Sequence, residues 1–253
     1  MIKIGEHEIS RIGLGTNRIE NDEKSRAILP AALEAGINLI DTADIYTGGA
    51  SESVIGQTIA NDPRAVIATK GGYHGGSPEK IAAAIESSRS RLGRDVIDLY
   101  YLHRPDSDFP IEQSVDPILS AKQDGRVGQI GLSNVTLDQL DRVRGLAPVA
   151  AVQNHYNLEN TGDQEDVIDY CERHSIMFVP YFPLRGSERA KKIAERLGVD
   201  RNEVVLAAML ARSPVVVPIP GTRNPQHLAS NLNATKLTLS SEDLDSLGLG
   251  SKS

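Results

Sequence analysis

The chain contains no tryptophan and only one cysteine, Cys171. The missing tryptophan excludes nothing. A lone cysteine excludes an intrachain disulfide and suits a reducing compartment. Cys171 lies on a helical face near Val167 and Ile168 and reads as a small buried hydrophobe. No run approaches the ~18 apolar residues of a membrane span. The opening MIKIGEHEIS is charged throughout and lacks the apolar core of a signal peptide, so the expected location is cytoplasmic. A basic excess is also missing. The net charge is −7, whereas a nucleic-acid binder needs a basic face. The 40% hydrophobic and 24% charged content is ordinary for a soluble globular protein. At 253 residues the chain is near the size of one barrel or two small domains.

One unit recurs along the chain: a short β-branched run, a loop, then a stretch with helical spacing. The runs are Arg11–Gly15, Ile37–Asp41, Ala65–Lys70, Ile97–His103, Gln129–Ser133, Val149–Gln153, Ile176–Tyr181 and Val215–Ile219. Apolar faces recur between them, as at Ile81, Ala84, Ile85, Ser88 and Leu92. Gly36, Gly93, Gly125, Gly145 and Gly198 follow helical stretches, as C-caps do. Ser51-Glu52-Ser53 reads as the cap and early acid of one helix, and Asp163 or a neighbour as the start of another. Eight alternating units predict an α/β fold, a (β/α)8 TIM barrel, in one domain spanning residues 1–253. Alternation around Gly5 predicts an N-terminal hairpin closing the barrel's bottom, and Ser240–Leu247 a short C-terminal helix. A doubly wound open sheet would want a glycine-rich turn after the first strand. Gly13-Leu14-Gly15-Thr16 lacks its third glycine.

Barrel chemistry lies at the carboxyl ends of the strands. Those ends hold Thr16-Asn17, Asp41, Lys70, His103, Ser133-Asn134, Gln153-Asn154, Tyr181 and Pro220-Gly221. A glycosidase would need a second carboxylate. A metal-dependent hydrolase would need more than one His and one Asp, so no metal is expected. A carboxylate, an ammonium, an imidazole and the nearby phenol of Tyr46 suit proton transfer to a carbonyl oxygen. Lys70 close to Tyr46 is expected to lower the phenol's pKa from about 10. Asp41 would hold Lys70 charged, and His103 would orient the carbonyl and stabilise oxyanion charge. Hydride must come from a cofactor.

The segments GLGTN at Gly13, IDTADIY at Ile40, IATKGG at Ile67, DLYYLHRPD at Asp98, GQIGLSN at Gly128, VQNHYN at Val152, PYFPL at Pro180 and PIPGTRNPQHLASN at Pro218 resemble the aldo-keto reductase superfamily nearly end to end. The resemblance implies an NADPH-dependent carbonyl reductase with Tyr46 as general acid, Lys70 and Asp41 tuning it, and His103 orienting the substrate. It implies that Ser133, Asn134 and Gln153 hold the nicotinamide carboxamide and that Tyr181 stacks on the ring. Leu184 and Gly186 match the loop over the pyrophosphate. Gly221, Thr222 and Arg223 through Asn231 match the adenosine-phosphate segment, with Asn231 on adenine. It also makes a monomer the expected state.

Two departures qualify this resemblance. Well-known branches carry Lys and Arg where this chain has Gly221 and His227. Arg223 is then the nearest cation, with Arg185 a second that approaches the phosphates, and NADH use stays open beside NADPH. The loops after His103 and Leu184 are also short. An open, shallow, broadly selective site is therefore expected, lined by Asn17, Ile45, Tyr73, His74, Arg104 and Tyr156. His74 and His155 are read as non-catalytic. Two other functions compete: a Schiff-base aldolase using Lys70, and a nucleotide-binding regulatory subunit without turnover.

Overall fold

A computed structural model describes residues 2–162 and 164–249, so Asp163, the expected helix opener, lies outside the described residues. Strands β1 (Lys3–Ile4) and β2 (His7–Glu8) pair antiparallel. Gly5 turns the chain between them with φ +59, a value that costs a side chain ~1–2 kcal/mol. A parallel sheet follows in chain order: β3 (Leu14–Gly15), β4 (Leu39–Asp41), β5 (Val66–Gly71), β6 (Ile97–Leu102), β7 (Val127–Ser133), β8 (Ala151–His155) and β9 (Met177–Tyr181). Spatial order equal to chain order is what repeated βα units produce.

The eighth run differs from its expectation as a strand. Val215–Ile219 makes only isolated parallel bridges, Phe178 with Val216 and, just beyond the run, Gly15 with Gly221. Pro218 and Pro220 lack the N–H that a ladder requires. The run still closes the curled sheet, because Val217 N–H donates to Phe178 O and Gly13 N–H donates to Pro218 O. Closure brings two backbones together at Gly15, where a Cβ would lie 2.7 Å from Ile219 O. The result is the expected (β/α)8 barrel, with β1 and β2 as the hairpin.

The outer layer consists of α1 (Glu23–Glu34), α2 (Ala50–Ile59), α3 (Pro78–Leu92), α4 (Ile111–Gln123), α5 (Leu137–Arg144), α6 (Gln164–Arg173), α7 (Lys191–Leu197), α8 (Arg201–Arg212), α9 (Pro225–Asn233) and α10 (Ser241–Leu247). Ser240 caps α10 in a capping box with Asp243. Ser51 is not the expected cap. Gly49 holds that place without a side-chain bond, and Ser51 is buried, its Oγ 2.9 Å from Thr16 Oγ1 and 2.8 Å from Thr42 Oγ1. Gly93 and Gly198 end their helices left-handed, while Gly145 stays right-handed.

Strand alternation separates two apolar layers. Ile67, Leu102, Val152 and Phe178 face the helices, whereas Val66, Ala68, Leu99, Ala151 and Val179 fill the barrel with Ile4 and Ile9 from the hairpin. Gly131 faces inward against Tyr101, and a Cβ there would lie 2.3 Å from its ring. The hairpin side of the barrel is thus plugged. The functional end is left to the residue that follows in the same phase on each strand.

Candidate active site

The inward phase ends in polar side chains. Leu39 leads to Asp41, Val66 and Ala68 lead to Lys70, Leu99 and Tyr101 lead to His103, Ala151 leads to Gln153, and Met177 and Val179 lead to Tyr181. Lys70 is fully buried and Asp41 is 1% exposed. Lys70 Nζ donates to Asp41 Oδ1 at 2.7 Å and to Thr42 O at 2.7 Å. Gln153 Nε2 donates to Asp41 Oδ2 at 2.7 Å. Both carboxylate oxygens are therefore engaged, which a buried charge requires.

Burial opposes charge on Lys70, but Asp41 and the Tyr46 oxygen outweigh it and leave the ammonium above the ordinary lysine value. Burial raises Asp41 against the pull of Lys70 and Gln153. Lys70 lies 5.2 Å from the centre of the Tyr46 ring. As expected, this ammonium pulls the Tyr46 phenol down, but it does not bring it below its ordinary value. Burial is the larger influence, and the phenol stays above it. Tyr46 consequently keeps its proton at neutral pH. His103 is 7% exposed. Burial and then Lys70 depress its pKa to about 3, so the imidazole is neutral. Its buried Nδ1 has no hydrogen-bond partner among the described residues. A charged Lys70 bound to Asp41 is also the wrong state for a Schiff-base nucleophile, which needs a lowered pKa.

One cavity of about 570 Å³ collects most of the expected residues. Asp41, Tyr46 and His103 line it with Asn17, Ile45 and Tyr73, and so do Ser133, Asn134, Gln153, Tyr181, Leu184 and Gly221. Asn134 ties three walls together. It takes φ +58, its Nδ2 donates to His103 O at 2.9 Å, and it accepts from Tyr181 Oη at 2.7 Å. His155 stacks on Tyr181, with centroids 5.2 Å apart and planes 13° apart.

Other expected residues lie elsewhere. Tyr156 is a correction: it is fully buried in the helix layer against Phe178, with its hydroxyl on Glu165. It follows Val152 and Asn154 in the outward phase, so it cannot reach the cavity. His74 and Arg104 are exposed beside the cavity, packed against Tyr73 at 5.0 and 4.4 Å. Gly186 makes a left-handed turn against Leu158 and Glu159. Thr222 accepts from Asn224 N–H, and Asn231 is buried on α9. Arg223 is less available than expected: it pairs with Asp22 at 2.9 Å and Glu20 at 3.7 Å.

Arg18 and Phe182 were not anticipated, although each directly follows an expected residue, Asn17 or Tyr181. Both line the cavity, as does Arg185. Neither Arg18 nor Arg185 has an ion-pair partner among the described residues. Phe182 is 46% exposed with φ +52, a strained state for an aromatic residue, and Arg185 lies 4.7 Å over its ring.

The model of the Aldo/keto reductase family matches residues 11–188 and 185–248 of the chain. The chain is 34% identical to an uncharacterized oxidoreductase of Schizosaccharomyces pombe, covering 95% of this chain and 86% of that protein. It is 31% identical to pyridoxine 4-dehydrogenase of Escherichia coli, with 96% of both chains covered. A solved aldo-keto reductase from Klebsiella pneumoniae in complex with NADPH superposes with a TM-score of 0.88 at 26% identity, covering 100% of this chain and 96% of that one.

Proposed function

The chain belongs to the aldo/keto reductase family, and on that premise we propose that it is an NADP-dependent oxidoreductase that reduces small aldehydes or ketones to alcohols. The observation that carries this reading is that Asp41, Tyr46 and His103 line one cavity while Lys70, buried just outside its lining, is paired to Asp41 and lies 5.2 Å from the Tyr46 ring centre. The NADPH-bound relative supports the cofactor, and so does the donor set here. The Ser133 hydroxyl and Gln153 Oε1 offer hydrogen bonds to a carboxamide, Asn134 holds the wall beside them through His103 and Tyr181, Tyr181 offers a flat ring, and Arg18 and Arg185 are cations open to phosphate oxygens.

NADPH, when bound, supplies the hydride. Tyr46 holds a proton at neutral pH and donates it to the carbonyl oxygen as that oxygen becomes an alkoxide. Lys70 then stabilises the phenolate left behind, and Asp41 keeps Lys70 charged and in place. Neutral His103 carries one N–H, which binds the carbonyl oxygen and strengthens as negative charge develops. Its low pKa keeps it from competing with Tyr46 as the acid. Packing of the Asp41–Lys70 pair excludes water from that side.

Tyr73 and Phe182 give the cavity aromatic walls, which suit flat aldehydes. The Escherichia coli relative is named for pyridoxine, so the aldehyde formed by oxidising pyridoxine at position 4 should be tested beside benzaldehyde and an aliphatic ketone. The test is NADPH consumption at 340 nm with each. Turnover with an aldehyde supports the proposal. Tight NADPH binding without turnover on any of them would replace it with a nucleotide-binding regulatory role.

A further inference from the structure

Glu52 is a fully buried carboxylate outside the cavity lining. Burying such a charge is costly, and pairing it seldom yields net stability. Its two oxygens are divided between two elements. Oε1 accepts from Thr69 Oγ1 at 2.5 Å, and Oε2 accepts from Arg91 Nε at 2.6 Å. Thr69 immediately precedes Lys70 on β5, on the opposite face of the strand. Arg91 lies in the last turn of α3. Glu52 itself sits in the first turn of α2, six residues after Tyr46.

The segment between Tyr46 and α2 needs support. Thr47, Gly48 and Gly49 have φ values of +48, +66 and +89. Thr47 is an L-residue in left-handed backbone, a conformation that persists only where the surroundings impose it. Two contacts do so. Thr47 Oγ1 donates to Ile19 O at 2.8 Å. Arg91 packs over Gly49 so closely that a Cβ there would lie 3.1 Å from Arg91 Cδ. Gly56 presses α2 onto the end of α3, where a Cβ would lie 2.4 Å from Arg91 O. Arg91 is thus fixed by backbone packing, Glu52 grips it, and the same carboxylate grips β5 next to Lys70.

We propose that Glu52 is a positioning residue for the reaction, one that sets the Tyr46 turn and Lys70 in register through Arg91 and Thr69; the role in turnover rests on the reductase reading above. It touches neither substrate nor cofactor. Two neighbouring strand ends are joined by the adjacent residue, since Ser51 Oγ bonds Thr16 and Thr42, and Thr42 O accepts from Lys70. Glu52 completes this frame from the outer side of the barrel.

The test uses Glu52→Gln and Thr69→Val in the full-length protein, with NADPH and benzaldehyde at a temperature where both variants are folded by circular dichroism. Tyrosine carrying 13C at Cζ reports the Tyr46 environment by NMR, assigned with Tyr46→Phe. The expected result is a fall in kcat of about tenfold or more for Glu52→Gln and several-fold for Thr69→Val. KM and the NADPH Kd should stay within twofold, and the Tyr46 resonance should move in both variants. Unchanged kcat with an unchanged Tyr46 resonance, whatever the loss in Tm, would overturn the proposal. If Glu52→Gln does not fold, Thr69→Val alone decides, since it removes one hydrogen bond at nearly constant volume. A wild-type protein without turnover would count against the reductase reading, while the Tyr46 resonance would still decide whether Glu52 positions that residue.

Discussion

Lys70 Nζ and Asp41 Oδ1 lie 2.7 Å apart, with side-chain exposures of 0% and 2%. Breaking such a pair from one side leaves an uncompensated buried charge. Asp41→Asn should therefore destabilise the fold by roughly 3–5 kcal/mol and lower kcat by at least tenfold. The double variant Asp41→Leu with Lys70→Met should recover much of the Tm and none of the activity. Thermal and urea unfolding, with kcat, on wild type and these two variants check this. Recovery of activity in the double variant would contradict it.

Burial outweighs Lys70 at Tyr46 and holds the phenol above its ordinary value. The two directions of reaction should then differ in pH dependence. Reduction needs the phenol and should hold steady through neutral pH. Oxidation of the product alcohol needs the phenolate and should climb with pH up to and beyond the ordinary tyrosine value of about 10. Initial rates in both directions from pH 6 to 10 would show it, and an oxidation rate that levels off near neutrality would count against it.

His103 and Asp44 pull stability in opposite directions. The folded His103 titrates at about 3 and the unfolded at about 6.5, so the unfolded chain binds the extra proton between those values. That contribution is complete above about 6.5 and is lost as pH falls, by up to ~1.4 kcal/mol per unit. Asp44 is raised to about 6, first by burial and then by Glu52. Its ionisation therefore lowers stability as pH rises from about 4 to 6. Asp44→Asn should remove the second effect and make stability fall more steeply on acidification in that window. Chemical denaturation at pH 4, 5 and 6 measures the slope, and equal slopes in wild type and variant would dismiss the assignment.

Arg223 is held by Asp22 and Glu20. Asp22 also caps α1 by accepting from Ser25 N–H. Asp22→Asn keeps a good capping residue while releasing the guanidinium. The ratio of NADH to NADPH dissociation constants should rise several-fold in the variant, read by fluorescence titration. A ratio that does not move would show that Arg223 takes no part in selecting the phosphate.

Strand phase explains what the sequence could reveal. A two-residue period carries Val66 and Ala68 to Lys70, and Leu99 and Tyr101 to His103, so the inward ring was legible from apolar runs ending in polar residues. Tyr156 shows the failure of proximity as a guide: it lies near the ring in sequence but one step out of phase, and belongs to the helix layer. The eighth run hid its irregularity in two prolines, which leave the apolar pattern intact while removing ladder donors. Glu52 read as a routine acid in a first helical turn. Its partners Thr69 and Arg91 are 17 and 39 residues away, and no local pattern connects them. The net direction at Tyr46 was likewise illegible, because it depends on how completely the fold buries the phenol.

On the reductase reading, Tyr46 delivers the proton in a cavity that binds NADPH independently of it. Tyr46→Phe removes one oxygen and keeps the ring. The decisive measurement is single-turnover NADPH oxidation with benzaldehyde, alongside NADPH binding, in wild type and this variant. Our account predicts a loss of at least a hundredfold in the oxidation rate with NADPH affinity within about twofold. A variant that turns over at the wild-type rate would contradict it.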